Sequence, residues 1–149
     1  MEKSLTHLLM PSLTKKIALK DGSLKFIGNH VPKDLIVGIE KIIEQAGDVQ
    51  RKYLTIDVFF KLYKEGERTC RDTDWHTDGQ GNLYFMYQEG NNRTLFKNGE
   101  DSFEIPEGEI FRYSSSDVHR GRNAKIEGRR LMIRLCYSDY LTPKNKRFV

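Results

Sequence analysis

Two histidines and one aspartate stand at a spacing that suits a metal site. His76 and Asp78 are two residues apart, and His119 comes later in the chain. In an extended backbone, residues i and i+2 point to the same side, so the first imidazole and the carboxylate can reach one point. His119 can add a second imidazole if the chain between them folds back as antiparallel strands. Two histidines and one carboxylate, with other positions left open for a cosubstrate and O2, are the ligand set of non-haem Fe(II) oxygenases.

The order of the surrounding elements strengthens this interpretation. A His-x-Asp triplet alone is common in solvated loops, and a distant second histidine adds little. Here the pattern runs strand, His-x-Asp, strand, Pro-x-Gly turn, strand, histidine and arginine-bearing strand. The three residues therefore form a predicted metal site, which the elements around them have to position.

One helix is predicted ahead of the strands. Residues 1–20 show no clear pattern, and residues 24–27 are a candidate short strand. Pro32 suits the first position of a helix and Gly47 suits its end. The apolar stripe of this helix, which should pack on a sheet, consists of Leu35, Ile36, Ile39, Ile42, Ile43 and Ala46.

From Tyr53 onward, apolar residues alternate with a period of two, which is typical of β-strands. Turn signals separate the runs, among them Asn98-Gly99 and Pro106-Glu107-Gly108. A helix before many short strands indicates a mainly β fold with an N-terminal helix, built as a sandwich or barrel. The predicted strands are 53–63, 83–88, 93–97, 102–105, 110–113 and 129–137.

The last predicted strand carries charge on one face. Arg130 and Arg134 lie opposite the row of Leu131, Ile133 and Leu135. A solvated sheet face is the commoner environment for any one arginine. An arginine that points into a pocket can instead bind a carboxylate through two parallel hydrogen bonds.

Length and composition indicate a soluble globular chain, with residues 1–149 as a single domain. Of the 149 residues, 38% are hydrophobic and 31% charged. No apolar run approaches membrane-spanning length and no apolar signal core is present, so we expect an intracellular protein without a membrane partner. Cys70 and Cys136 are too few for a disulfide framework and lack zinc-site spacing. The net charge of +4 permits an anionic partner such as nucleic acid, although a lysine-rich surface is the simpler explanation.

One series of motifs in this chain is similar to that of a known family: Phe60-Lys61-Leu62-Tyr63-Lys64-Glu65-Gly66, Trp75-His76-Thr77-Asp78, residues 83–88, Pro106-Glu107-Gly108, His119 and Gly128-Arg129-Arg130. Through these motifs the sequence resembles the Fe(II)/2-oxoglutarate-dependent dioxygenases, and most of all their prolyl-hydroxylase-like branch. This resemblance covers about residues 24–139 and implies a double-stranded β-helix, the cupin-like jelly roll. The sequence departs from the family in two places. The segment from Asp78 to His119 is short, and Asn91-Asn92-Arg93-Thr94-Leu95 stands where the family has Gly-Gly-x-Leu.

Within this resemblance, His76, Asp78 and His119 match the iron ligands. Arg130, eleven residues after His119, matches the arginine that binds the far carboxylate of 2-oxoglutarate. Arg129 is one position off and would face the other way.

Two tyrosines match residues that line the cosubstrate pocket of the family. One is Tyr63, and the other is Tyr87. Because neighbours on a strand alternate, either Tyr84 or Tyr87 should face the pocket but not both, and the resemblance favours Tyr87. A core or surface position is the alternative for both Tyr63 and Tyr87.

The activity that the resemblance implies is hydroxylation of a C–H bond, with succinate and CO2 as coproducts. It implies Fe(II), 2-oxoglutarate and O2 as cofactor and cosubstrates, with ascorbate as an accessory reductant. The branch suggests a protein side chain as substrate, the charge allows a nucleobase, and a small molecule is a third candidate.

Two other functions are alternatives to the dioxygenase. One is a cupin-type metal-binding module without 2-oxoglutarate chemistry, and the other is a jelly-roll binding protein in which the three candidate ligands are incidental. The typical cupin His-x-His with a following glutamate is missing. No pattern specifies the oligomeric state.

Overall fold

The computed structural model describes residues 12–20, 23–26, 33–69 and 73–140. Within these ranges the chain forms one helix and nine strands. The helix is α1 (Lys33–Ala46), and the strands are β1 (Ser12–Lys20), β2 (Ser23–Phe26), β3 (Tyr53–Tyr63), β4 (Leu83–Gly90), β5 (Leu95–Asn98), β6 (Asp101–Glu104), β7 (Ile110–Ser114), β8 (His119–Arg120) and β9 (Gly128–Ser138).

The strands form two antiparallel sheets. The large sheet has the order β2-β1-β3-β9-β4-β7, and the small sheet has the order β6-β5-β8. The small sheet packs on one face of the large sheet through aromatic side chains, with the ring centroids of Phe96 and Tyr113 5.0 Å apart. The fold is therefore mainly β with an N-terminal helix, in a jelly-roll arrangement, and the predicted fold class is confirmed.

Helix α1 covers the opposite face of the large sheet. Leu35, Ile39 and Ile42 are fully buried, and their spacing of four and three residues places them on one side of the helix. Gly47 ends the helix with a φ of 78°, a left-handed conformation that favours glycine. From the sheet, this core receives Leu54, Ile56, Val58, Phe60, Phe85, Tyr87, Leu131, Ile133, Leu135 and Tyr137.

Strand β9 supplies side chains to both faces of the large sheet. Its odd-numbered residues from Leu131 to Tyr137 enter the helix-side core, whereas Met132 belongs to the cluster between the two sheets. The predicted alternation of the last strand is therefore confirmed. The cluster between the sheets consists of Tyr84, Met86, Phe96, Ile105, Tyr113 and Met132.

The element boundaries agree with the pattern in most places. Strand β3 matches its predicted bounds, and the Asn98-Gly99 turn joins β5 to β6, with a φ of 65° at Gly99. Strand β1 is a new element, because no pattern marked it. Pro32, Ile27 and Cys70 lie outside the described residues. No helix in the described ranges is long and apolar enough to cross a membrane.

At Gly90, strand β4 lies very close to the backbone of strand β9, where its pairing partner is Arg130. Its φ is 101°, and a Cβ placed there would lie 1.9 Å from the backbone oxygen of Arg129. We expect Gly90→Ala to reduce the free energy of unfolding more than Gly47→Ala does. The Gly47→Ala variant carries only the left-handed backbone cost of ~1–2 kcal/mol, since no atom lies within 4 Å of the Cβ position at residue 47. The clash should add ~1–3 kcal/mol.

Urea unfolding of the two variants measures this difference. Equal losses would show that β9 can move away from Gly90 without cost.

Candidate metal centre

His76 and His119 meet through their backbones. The amide of each donates to the carbonyl of the other at 2.9 Å, which forms an isolated antiparallel bridge. Because residues directly opposite each other in such a pair point to the same side, the imidazoles lie together, with ring centroids 4.6 Å apart. Asp78 follows in the same loop as His76. The ligand atoms of the three residues all lie within 4.8 Å of one another.

A backbone carbonyl orients each imidazole. His76 Nδ1 lies 2.7 Å from the carbonyl oxygen of Asp74, and His119 Nδ1 lies 3.1 Å from that of Asp117. A carbonyl oxygen only accepts hydrogen bonds, so each Nδ1 carries the proton. In the neutral ring, Nε2 is then left with its lone pair available, which is the state in which imidazole binds a metal.

Both Nε2 atoms face the carboxylate of Asp78. His119 Nε2 lies 2.8 Å from Oδ2, and His76 Nε2 lies 3.6 Å from Oδ1. An unprotonated nitrogen and a carboxylate oxygen at 2.8 Å repel unless a proton or a metal ion lies between them. Two ligand atoms that bind one ion at about 2.1 Å and at right angles are about 3.0 Å apart. The three residues therefore fit a divalent metal ion.

Arg134 pairs with the same carboxylate from β9. Its Nη1 donates to Asp78 Oδ2 at 3.1 Å, and its Nη2 donates to Asp57 Oδ2 at 2.8 Å. Burial works to raise the pKa of Asp78, but the hydrogen bond with His119 and the charge of Arg134 outweigh it and hold that pKa below its ordinary value. Asp78 is therefore ionised at neutral pH, as a metal ligand has to be.

The three residues line a cavity of about 350 Å³ between the two sheets. Its wall combines apolar side chains of the large sheet with a small number of convergent polar groups, the usual composition of a small-molecule site. The lining residues are Phe59, Thr69, His76, Asp78, Met86, Thr94, His119, Gly121, Arg130, Met132 and Arg134.

Arg130 lies in this cavity, whereas Arg129 is exposed. The Arg130 side chain is buried and donates to Thr94 Oγ1 at 3.0 Å, to Gln88 Oε1 at 3.3 Å and to the carbonyl oxygen of Thr69 at 3.3 Å. The predicted faces of the two arginines agree with the structure. The cosubstrate-binding role of Arg130 stays a prediction.

Tyr63 lies behind the arginine end of the cavity. Its hydroxyl donates to the carbonyl oxygen of Thr69 at 3.0 Å, the same oxygen that accepts a hydrogen bond from Arg130. Tyr63 is buried but does not line the cavity. It can support the position of Arg130 through this shared acceptor, and its predicted contact with a cosubstrate stays a prediction.

The expectation that Tyr87 lines the pocket is corrected. Tyr87 packs in the helix-side core, and its hydroxyl donates to Glu89. Tyr84 points to the other side, where its ring stacks on Tyr113 with centroids 4.8 Å apart and its hydroxyl accepts a hydrogen bond from Asn82. The alternation of the two tyrosines was therefore right and the choice of face was wrong. Neither tyrosine lines the cavity.

Several polar residues of the site were not identified from sequence. Arg134 was assigned the correct face, but its contact with Asp78 was not foreseen. Gln88 lies two residues after Met86 on β4, so strand alternation places both on the face that borders the cavity. Asp57 stands opposite Arg134 across β3 and β9, a pairing that requires the strand register. Thr69 and Thr94 lie outside the strands, and no sequence signal marks them.

Comparisons with known proteins leave the function open. No protein-family profile and no curated protein sequence matches the chain. Similar solved structures include the Cnp3 cupin domain from Schizosaccharomyces pombe (10% identity, 93% of this chain, 94% of that chain, TM-score 0.40). A cupin-2 domain containing protein from Shewanella frigidimarina is also similar (12% identity, 59% of this chain, 72% of that chain, TM-score 0.32). So is a protein from Neisseria meningitidis (19% identity, 60% of this chain, 79% of that chain, TM-score 0.38). These low TM-scores carry no argument about function, which has to come from the site itself.

We expect the contribution of Asp78 to the stability of the metal-free chain to depend on pH. Its folded-state pKa is depressed, so the ionised carboxylate stabilises the fold above the unfolded-state pKa of about 4. This stabilisation is lost as the pH falls through the lower folded-state pKa. In urea unfolding, Asp78→Asn should be less stable than the wild type at pH 7 and approach it as the pH falls through the folded-state pKa.

Asp101→Asn, at an exposed carboxylate of the β5–β6 hairpin, is the control for the loss of a charge. A stability gap between Asp78→Asn and the wild type that stays constant as the pH is lowered from 7 through the acidic range would contradict the role of the ionised carboxylate.

Proposed function

We propose that this chain is a non-haem Fe(II)- and 2-oxoglutarate-dependent dioxygenase that hydroxylates a C–H bond of its substrate. One observation carries the proposal: two imidazole Nε2 atoms and the carboxylate of Asp78 converge at the wall of a cavity that also contains Arg130. Three such ligands leave coordination positions of an iron ion open. A buried guanidinium in the same cavity suits an anionic cosubstrate.

His76, Asp78 and His119 are the residues that would hold Fe(II). When bound, Fe(II) and 2-oxoglutarate would supply the activation of O2, with one oxygen atom entering succinate, the other entering the substrate and CO2 released. The protein fixes the ligands in advance, because the carbonyls of Asp74 and Asp117 set both imidazole tautomers. Pre-set ligands of this kind need little rearrangement when an ion enters.

Arg130 is the residue that would bind the far carboxylate of 2-oxoglutarate. Its planar guanidinium matches the two oxygens of a carboxylate, and its hydrogen bonds to Gln88, Thr94 and Thr69 already hold the side chain in the cavity. An arginine that is ordered before binding loses less conformational entropy on binding. Met132, between Arg130 and Arg134 in the strand, adds an apolar side chain to the cavity wall.

A cupin-type metal-binding module without 2-oxoglutarate chemistry is the second candidate. The same hydrogen bonds of Arg130 favour it, because an anion would have to compete with three acceptors of the chain itself. Both candidates bind a metal and differ in the anion. The net charge of +4 keeps a nucleobase among the candidate substrates of the dioxygenase, beside a protein side chain and a small molecule.

We expect one Fe(II) ion to bind per chain in an anaerobic titration. His76→Ala and His119→Ala should weaken binding by about 100-fold or more, because loss of a ligand should exceed the 10–100-fold effect of losing an outer partner. Asp101→Ala removes an exposed carboxylate and should bind Fe(II) like the wild type. Unchanged affinity in both histidine variants would reject the metal site.

Succinate release tests the activity itself. The wild type is incubated with Fe(II), 2-oxoglutarate, ascorbate and O2 together with peptides, oligonucleotides or free amino acids. Succinate formed above the level of the His119→Ala variant supports the dioxygenase. Fe(II) binding without 2-oxoglutarate binding identifies the cupin-type module instead.

Arg130→Ala should lose 2-oxoglutarate binding. Removing one partner of a buried charge pair costs ~3–5 kcal/mol, or roughly a hundredfold or more in affinity. Arg130→Lys should retain part of the affinity, since an ammonium group cannot reproduce the guanidinium fork. Anaerobic calorimetry with Mn(II) bound measures the dissociation constant, and the exposed Arg129→Ala is the matched control. Loss of binding in the Arg129 variant alone would contradict the assignment.

A further inference from the structure

Arg134 joins two carboxylates beside the candidate metal site. It donates to Asp57 at 2.8 Å and to Asp78 at 3.1 Å through different nitrogens, and its guanidinium carbon lies 5.4 Å from the ring centroid of Tyr84. Asp57 is directly opposite on the neighbouring strand, and only 11% of its side chain is exposed. The guanidinium is therefore anchored to the large sheet on one side and holds Asp78 with the other.

The candidate ligands differ in how they are held. His76 and His119 are fixed by their mutual backbone bridge and by carbonyls on both Nδ1 atoms. Asp78 lies in the loop before β4, outside the strand ladders. Within the described part of the chain, its side-chain partners are the two imidazoles and Arg134. Arg134 is thus the contact that can orient the carboxylate independently of the histidines.

We propose that Arg134 is a positioning residue, which Asp57 holds in place and which sets the orientation of the Asp78 carboxylate for metal binding. This inference rests on the metal site of the proposed function and does not depend on 2-oxoglutarate. Outer partners of metal ligands reduce the freedom of the ligand before the ion arrives, and their loss typically weakens metal binding by about 10–100-fold.

The charge of Arg134 acts in the opposite direction. A guanidinium near a divalent cation repels it, so a residue that acted only through its charge would weaken metal binding, and its removal would strengthen it. A test has to hold this electrostatic effect constant. Asp57, Arg134 and Asp78 together carry one net negative charge in the wild type. The double variant Asp57→Asn/Arg134→Met keeps that net charge while it removes the support of Asp78.

The experiment measures Mn(II) and Co(II) binding to the full chain by calorimetry and by the visible absorption of bound Co(II). We expect the double variant to bind both ions about 10–100-fold more weakly than the wild type. Its Co(II) absorption at saturation should also change, because the carboxylate is no longer held in one orientation. Arg129→Met removes an exposed arginine on the other face of β9 and should leave affinity and spectrum unchanged.

Arg134→Lys provides a second variant with constant charge in case the double variant does not fold, which thermal unfolding will show. An ammonium group cannot bridge two carboxylates as a planar fork does, so binding should weaken by about 10-fold. Wild-type affinity and spectrum in the folded double variant, or in Arg134→Lys if only that variant folds, would overturn the inference. Failure of the wild type to bind either ion would overturn the metal site together with it.

Discussion

Strand β9 is buried on both of its faces, and this burial determines which side chains can reach the candidate metal site. Leu131, Ile133 and Leu135 are fully buried under the helix, and each contributes about 1.5–3 kcal/mol relative to an exposed position. A shift of the strand by one residue would move all three to the cavity side of the sheet and turn Arg130 and Arg134 into the apolar core under the helix. The helix-side packing therefore fixes the direction of both arginines, which lie on the opposite face of the strand.

Two arginines can lie in the cavity because each has hydrogen-bond or ion-pair partners. Arg130 is surrounded by hydrogen-bond acceptors, and Arg134 lies between two carboxylates. A buried charge without such partners would cost several kcal/mol. The two arginines are held differently, and this difference suits different tasks. Oxygens of Gln88 and Thr94 hold Arg130 in the cavity, whereas Arg134 is neutralised by the carboxylates and acts as a structural link.

The sequence predicts the fold class well because strand periodicity is local. The structure also brings His76, Asp78 and His119 together, and their role as metal ligands stays a prediction. Alternation along a strand is visible in the sequence, but the sequence does not show which of the two alternating sets of side chains faces the helix and which faces the cavity. Tyr87 illustrates the limit, since its opposite neighbour on β9 is Ile133, which faces the helix. The contact of Arg134 with Asp78 depends on the path of an irregular loop. Strand β1 was missed because its pattern is weak and its pairing with β3 is long-range.

The two sheets supply different parts of the candidate metal centre, so the contacts between the sheets determine its geometry. His119 belongs to the small sheet through β8, whereas Asp78 is linked to the large sheet by Arg134. The ring of His119 lies 5.1 Å from that of Phe96 and 5.3 Å from that of Tyr113. Phe96 is in the small sheet and Tyr113 is in the large one. The aromatic cluster that holds the sheets together therefore also contributes to the distance between the His119 imidazole and the Asp78 carboxylate.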